Sequence, residues 1–334
     1  MFVRWCYRVE VLDAGPVNRR EQSLAALVAA IWGVNFVVID WGMGDVPPLV
    51  FLAVRFLAVI VPAVLLVPPP AVGWRTVAAV GTFMSLGQFG LLYVALDVGL
   101  PPGLAGLVLQ AQVALTIAIS AVALRERPTR AQAIGVLLGA VGLVVVGFGR
   151  GGHVALLGLL LCLGAALMWA IGNVVARTSG AGGAAGGLSM TVWSALVVPV
   201  PLLLLAVALD GPGTLSAAAA AFGWKAALST LYTAGLASLV GYGIFNSLLA
   251  RHPSSEVVPW ILLVPPVAIG SAWLLLDEVP SPGELAGGVL LVAGVLVAQR
   301  GGRRVAREAL SDRTRCTTAP SRPGSPVPPA PAAP

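Results

Sequence analysis

A single arginine interrupts the apolar run FLAVRFLAVI at position 55. A guanidinium in such surroundings is costly unless something neutralises it, and its fork of donors matches the two oxygens of a carboxylate. Arg55 follows Pro47 by eight residues, which on a helix is a depth of about 12 Å. No Asp or Glu stands at that depth in the other apolar runs. The bland account is an arginine that snorkels to the nearer interface or bonds helix carbonyls. The sharper one is a receptor for a substrate carboxylate. Amides form a second set: Gln88, Gln110 and Gln112, with Asn35, Asn173 and Asn246, also lie in apolar runs. Each serves either an interhelical hydrogen bond or a ligand. Gln110 and Gln112 are about 200° apart on a helix, so they do not both face one cavity squarely. Cys6, Cys162 and Cys316 lack disulfide or metal-ligand spacing. His153 and His252 are expected in loops, and there is no H-E-x-x-H or Walker sequence. These residues argue against a zinc site, an ATP-driven pump and an intramembrane enzyme. No cofactor is expected.

The elements that must position these groups follow from composition. Of 334 residues, 58% are hydrophobic and 10% charged, and the mean hydropathy is +0.93. Soluble chains carry about 25% charged residues, so a soluble enzyme, a nucleic-acid-binding domain and a disordered chain are excluded. A bilayer-spanning helix takes about 20 apolar residues. Ten such segments are read at 23–40, 47–67, 74–96, 101–123, 131–149, 154–176, 188–209, 224–249, 256–276 and 283–299. Stretches such as 155–170 and 196–209 do not alternate as a β-barrel strand would. The expected fold is an all-α membrane protein of ten transmembrane helices. With the N-terminus inside, 17 of the 20 Lys and Arg fall in inner loops or tails, Arg150 and Lys225 fall outside, and Arg55 lies within a span. That bias places both termini in the cytoplasm. The net charge of +6 is then a topology signal, with no nucleic-acid partner needed. Residues 1–22 are expected as a cytoplasmic arm and 300–334, Arg-rich then Pro-rich, as a disordered cytoplasmic tail.

Shifting the chain by 152 residues lays LRERPTRAQAIGVLLGAVGLVVV (124–146) on LDEVPSPGELAGGVLLVAGVLVA (276–298) with seven identities in 23 positions. A shift of 138 puts Asn35 on Asn173, the difference falling in the 210–223 loop. Residues 23–149 and 154–299 are thus two five-helix repeats. Five is odd, so corresponding helices run in opposite directions, the inverted topology of many secondary transporters. Under the shift Gln88, Gln110 and Gln112 fall on Val240, Leu262 and Val264, so only one half carries these amides. Thr129-x-x-Gln132 and Ser281-x-x-Glu284 are capping-box patterns at the starts of the fifth and tenth helices. Gly135 and Gly139 have the four-residue spacing of a close helix contact, of which the second repeat keeps only Gly287. The carboxylates near the spans, Asp40, Asp97, Asp210, Glu256, Asp277 and Glu278, sit at helix ends or loops. Glu256 is expected to be the best placed to reach a cavity. Facilitated diffusion or exchange is therefore expected, with any proton linkage passing through Glu256.

WGVNFVV (32–38), the Arg55 helix, ERPT (126–129) and DEVPS (277–281) resemble the EamA family of the drug/metabolite transporter superfamily. GQFG (87–90), GLPPGLAGLVLQAQ (99–112), WSALV (193–197), VGYGI (240–244) and LLVPPV (262–267) look like its O-acetylserine/cysteine exporter branch. The resemblance covers about residues 23–300 and implies alternating-access export of small amino-acid-like metabolites across the bacterial inner membrane. The expected partners are a small zwitterionic metabolite and the lipid bilayer. The expected substrate-binding set is Arg55, Gln88, Gln110, Gln112, Asn35, Trp193 and Tyr242. Export of drugs or other metabolites is the alternative within the superfamily.

Overall fold

A computed structural model describes residues 18–149, 156–178, 187–252 and 254–318. Ten helices in it are long and apolar enough to cross a bilayer. Numbered in chain order, spans 1 to 5 are Arg19–Met43, Pro48–Leu66, Trp74–Asp97, Pro102–Ala123 and Arg130–Phe148. Spans 6 to 10 are Leu156–Thr178, Gly187–Asp210, Trp224–Arg251, Val258–Leu276 and Pro282–Arg300. No strand occurs among the described residues. Large apolar side chains such as Leu65, Phe148, Leu204, Leu274 and Val289 stand exposed on the outside of the bundle. Lipid tails cover such a surface at no cost, whereas water does not.

Local chemistry sets the helix ends. Thr129 and Gln132 exchange reciprocal bonds, Thr129 N donating to Gln132 Oε1 at 2.8 Å and Gln132 N to Thr129 Oγ1 at 3.2 Å. Ser281 and Glu284 repeat the arrangement at 2.7 and 3.2 Å. Asn18 and Glu21 form a third box. It starts span 1 at Arg19, four residues before the Ser23 expected from hydropathy alone. The expected 210–223 loop contains a short helix, Thr214–Ala221. The last helix continues past the bilayer-length segment to Thr318. The first part of the tail is therefore helical rather than disordered: its Ala, Arg, Glu and Leu residues are good helix formers, and the Pro-rich segment begins only beyond it. Residues 319–334, with most of the N-terminal arm, Cys6 and His153, lie outside the described residues.

The inverted repeat is visible in the packing. Span 1 packs on spans 8 and 9, as span 6 packs on spans 3 and 4. Span 2 touches span 8 as span 7 touches span 3, while spans 2 and 7, 4 and 9, and 5 and 10 pair with one another. Exchanging the halves leaves this map unchanged, as a pseudo-two-fold axis requires. The backbone obeys it too. Arg125 and Asp277, which correspond under the 152 shift, both take left-handed φ values, 53° and 56°. Span 3 widens into a π-helical stretch at Gly81–Gly87 and span 8 at Tyr232–Gly241. Spans 5 and 10 cross on glycine. A Cβ at Gly142 would stand 2.7 Å from Gly287 O, and one at Gly294 would stand 2.6 Å from Gly135 O. The working spacing is seven residues in each helix. A Cβ at Gly139, expected to be a contact, would meet open space.

Candidate functional site

A cavity of about 360 Å³ is walled by spans 2, 3, 6, 7 and 8. That volume falls in the range of small-molecule sites. The wall begins at mid-depth with Arg55, Gln88 and Ser238. It runs to the end of the bundle where the chain begins, with Ala176 near the end of span 6, Gly187 at the start of span 7 and Leu249 near the end of span 8. Beyond Arg55, on the opposite side, the buried residues Phe51, Leu52, Leu92, Tyr93 and Leu96 fill the interior. Phe51 packs against the Tyr93 and Phe222 rings at 6.0 and 6.4 Å between centroids. Trp41 and Trp224 stack edge-on farther out. Among the described residues, the cavity thus opens toward one end and is closed at the other.

Arg55 lies at the sealed end and is 3% exposed. Its Nη1 donates to Tyr93 Oη at 3.2 Å and its Nη2 to Ser238 Oγ at 3.3 Å. The guanidinium stands 4.4 Å from the Phe89 ring centroid, a favourable but partial compensation for lost hydration. No carboxylate pairs with it among the described residues, and its Nε is buried without a partner. The π-helical stretch of span 8 explains how Ser238 serves this group. Ser238 Oγ donates to Thr233 O, five residues back, at 2.7 Å, which turns its lone pairs to Arg55. In the same stretch Ala237 O accepts from Trp32 Nε1 at 2.9 Å. Trp32 in turn backs Tyr242 and Phe245, with centroid distances of 4.9 and 5.3 Å.

The other polar wall groups are Ser85, Gln88, Asn173, Thr191, Ser194 and Asn246. Asn173 Nδ2 donates to Gln112 Oε1 at 3.0 Å. Asn246 Nδ2 is buried with no partner, and only a glycine at 187 leaves room for that side chain, since a Cβ there would overlap its amide. The structure therefore places Arg55, Gln88 and Tyr242 on the wall. Gln112 sits one bond behind it. Gln110 instead borders a small gap against spans 5 and 10, because a turn at 109–110 interrupts span 4 and redirects its side chain. Asn35 is buried away from the wall with Oδ1 unpartnered. Trp193 donates from Nε1 to Val67 O at 2.9 Å and rests on Trp74, outside the wall. Ser85, Ser194, Ser238 and Thr191 had no sequence signal, since hydroxyls in membrane helices mostly bond the backbone of their own helix.

One further expectation changes. Glu256 is exposed and is not part of the wall, because it lies in the short helix Ser254–Val257 that precedes span 9. His252 lies in the bend that ends span 8, in a loop as expected, with its side chain largely buried. It stands 2.9 Å from Glu21 Oε1, out of line for a hydrogen bond, while Arg251 Nη1 donates to the same oxygen at 3.0 Å. These groups fasten the start of span 1 to the end of span 8.

Ten spans in two inverted halves around a cavity that carries an arginine, amides and hydroxyls on a mainly apolar wall describe a membrane transporter. The chain belongs to the EamA-like transporter family, whose profile matches it twice, at residues 20–148 and 156–299. It is 38% identical over 284 residues to a protein of Salmonella typhimurium named "Probable amino-acid metabolite efflux pump", covering 84% of this chain and 95% of that one. The Escherichia coli K12 protein of the same name is 37% identical over the same shares. A "Probable terminal-alkyne amino-acid exporter" of Streptantibioticus cattleyicolor is 33% identical over 210 residues, 61% of this chain and 66% of the other. A solved crystal structure, 20% identical, superposes with a TM-score of 0.53 over 84% of this chain and 98% of its own, and so shares the fold. The chain is a multi-pass membrane protein of a metabolite-exporter family.

Proposed function

We propose that this chain is a secondary exporter of small amino-acid-type metabolites of the O-acetylserine and cysteine class. It works by alternating access in the bacterial inner membrane, with both termini cytoplasmic. One observation carries the reading: Arg55 is a buried cation with no carboxylate partner among the described residues and with Nε unsatisfied. A substrate carboxylate would complete it. The names of the similar efflux proteins support the class of cargo. With the N-terminus inside, the open end of the cavity faces the cytoplasm, so this conformation is the one that loads an exporter. Tyr93 and Ser238 hold the guanidinium in place, and Gln88 and Asn173 offer amides to the rest of the ligand. Movement of the two halves about their pseudo-two-fold axis would then open the sealed side. The π-helical stretches of spans 3 and 8 are natural points of flexure, because their wider turns are less stable than α-helix. Met84, Met190 and Val59 on the wall favour some tolerance for larger apolar side chains, as flexible Met surfaces repack.

The test is efflux of labelled O-acetyl-L-serine and L-cysteine from proteoliposomes containing the purified chain. Wild type should release both faster than empty vesicles. Arg55→Gln should insert and fold but lose most of the rate. Full transport by that variant would reduce Arg55 to a structural residue.

A further inference from the structure

The cavity's charges and free valences are one-sided. Among the described residues, Arg55 is the only ionisable cation on its wall, and no Asp or Glu lines it. A zwitterion bound there brings a carboxylate that the arginine neutralises and an ammonium that no opposite charge meets. The guanidinium already stands near Phe56 and Phe89, so Tyr242 and Phe245, which pack on Trp32, are the aromatic rings left to an ammonium, and they offer a cation–π contact rather than an opposite charge. The two buried wall atoms that lack partners, Arg55 Nε and Asn246 Nδ2, are both donors. Unpaired buried donors call for acceptors from the ligand. A carboxylate supplies one set and an acyl carbonyl another. An ammonium supplies none.

We infer that the site recognises a carboxylate together with a second, carbonyl acceptor, and does not require a free α-amino group, so that N-acylated amino acids are ligands and cargo. This rests on the exporter reading above and narrows it: the charge that is read is the acid, and the amine is only tolerated. An N-acyl amino acid is a monoanion, so it neutralises Arg55 without placing a second cation in the cavity. Its amide oxygen is of the type Asn246 Nδ2 lacks. The ester carbonyl of an O-acyl amino acid meets the same need, so the two acyl isomers form a matched pair that differs chiefly in the ammonium.

The experiment uses the purified full chain in detergent and in proteoliposomes at mildly acidic pH, where acyl migration between the isomers is slow. Binding is measured by thermal shift and transport by labelled uptake for O-acetyl-L-serine, N-acetyl-L-serine and N-acetyl-L-serine methyl ester. The N-acetyl acid should bind and be carried at least as well as its O-acetyl isomer. The methyl ester, which lacks the carboxylate, should bind about tenfold to hundredfold more weakly. Asn246→Leu, which keeps Arg55 and its partners, should weaken the N-acetyl acid several-fold. Arg55→Gln should make acid and ester equivalent. Binding and transport of the O-acetyl isomer without the N-acetyl acid would show that the ammonium is read, overturning this inference and leaving the exporter reading intact. Failure of both acids to bind or move would overturn both.

Discussion

Arg55, 3% exposed, is held as a cation by two neutral hydroxyls and an aromatic face. Its retention therefore depends on each partner. Removing one leaves a charged donor unpaired, which costs about 1–3 kcal/mol or more. Tyr93→Phe keeps the shape of a fully buried ring and deletes only the acceptor. It should lower the thermal midpoint in detergent, and Ser238→Ala should do so to a similar degree. An unchanged midpoint in both would mean that the guanidinium rebonds to backbone carbonyls. At this scale the sequence was informative where a residue type clashed with its surroundings. An arginine within FLAVRFLAVI announces itself. Tyr93 and Ser238 do not, because they lie 38 and 183 positions away and look like ordinary membrane-helix residues. Gln110 and Gln112, about 200° apart on a helix, fall on different sides as their spacing requires, but which of the two turns toward Asn173 is set by the neighbouring helices.

Glycine governs how close two helices can come, and spans 5 and 10 show where this matters. Gly135→Ala would drive a methyl into the Gly294 carbonyl, and Gly142→Ala into that of Gly287 at 2.7 Å. Each should cost about 1–3 kcal/mol through overpacking. Gly139→Ala, facing open space, should be neutral or slightly stabilising, since alanine favours helix. Thermal unfolding of the three variants separates the cases, and equal losses in all would deny the crossing. The spacing of seven was present in the sequence, but the shorter pair, Gly135 and Gly139, drew attention first. Choosing between them needs the facing helix. The capping boxes at Thr129 and Ser281, by contrast, were legible outright because all their bonds are local. At the near end, Glu21 serves both Asn18 and the Arg251–His252 pair. Glu21→Ala should speed amide hydrogen exchange in the first turn of span 1 and the last turn of span 8 together. Acceleration in span 1 alone would leave only the cap.

The whole molecule commits to one end. Thr191 lies on the wall and Leu52 is fully buried beyond it. In a background lacking native thiols, Thr191→Cys should react with a membrane-impermeant maleimide in inside-out vesicles and hardly at all in right-side-out ones. Leu52→Cys should resist from both sides. The reverse pattern at Thr191 would place the opening outside and refute the cytoplasmic assignment. Ten spans and the two halves were evident from hydropathy and the 152-residue echo, as both are properties of long stretches. Which end is open was not, because it depends on how the same helices tilt against one another.

The internal echo also makes the structure a mould of its own counterpart. If the halves trade conformations, the far vestibule inherits the equivalents of the present wall: Val94 where Asn246 now stands, and Asn35 where Asn173 stands. Asn35 Oδ1, buried and unpartnered here, would then gain a use. The exit would be greasier than the entrance, and the cargo would be held less firmly there. A closed thermodynamic cycle turns that into a rule about resting states. A passenger that grips the entrance more tightly must bias the occupied carrier toward the inside-facing form relative to the empty one. Without a coupled ion, net flow then follows the concentration gradient, and the loaded carrier favours the outside-facing form less than the vacant one does.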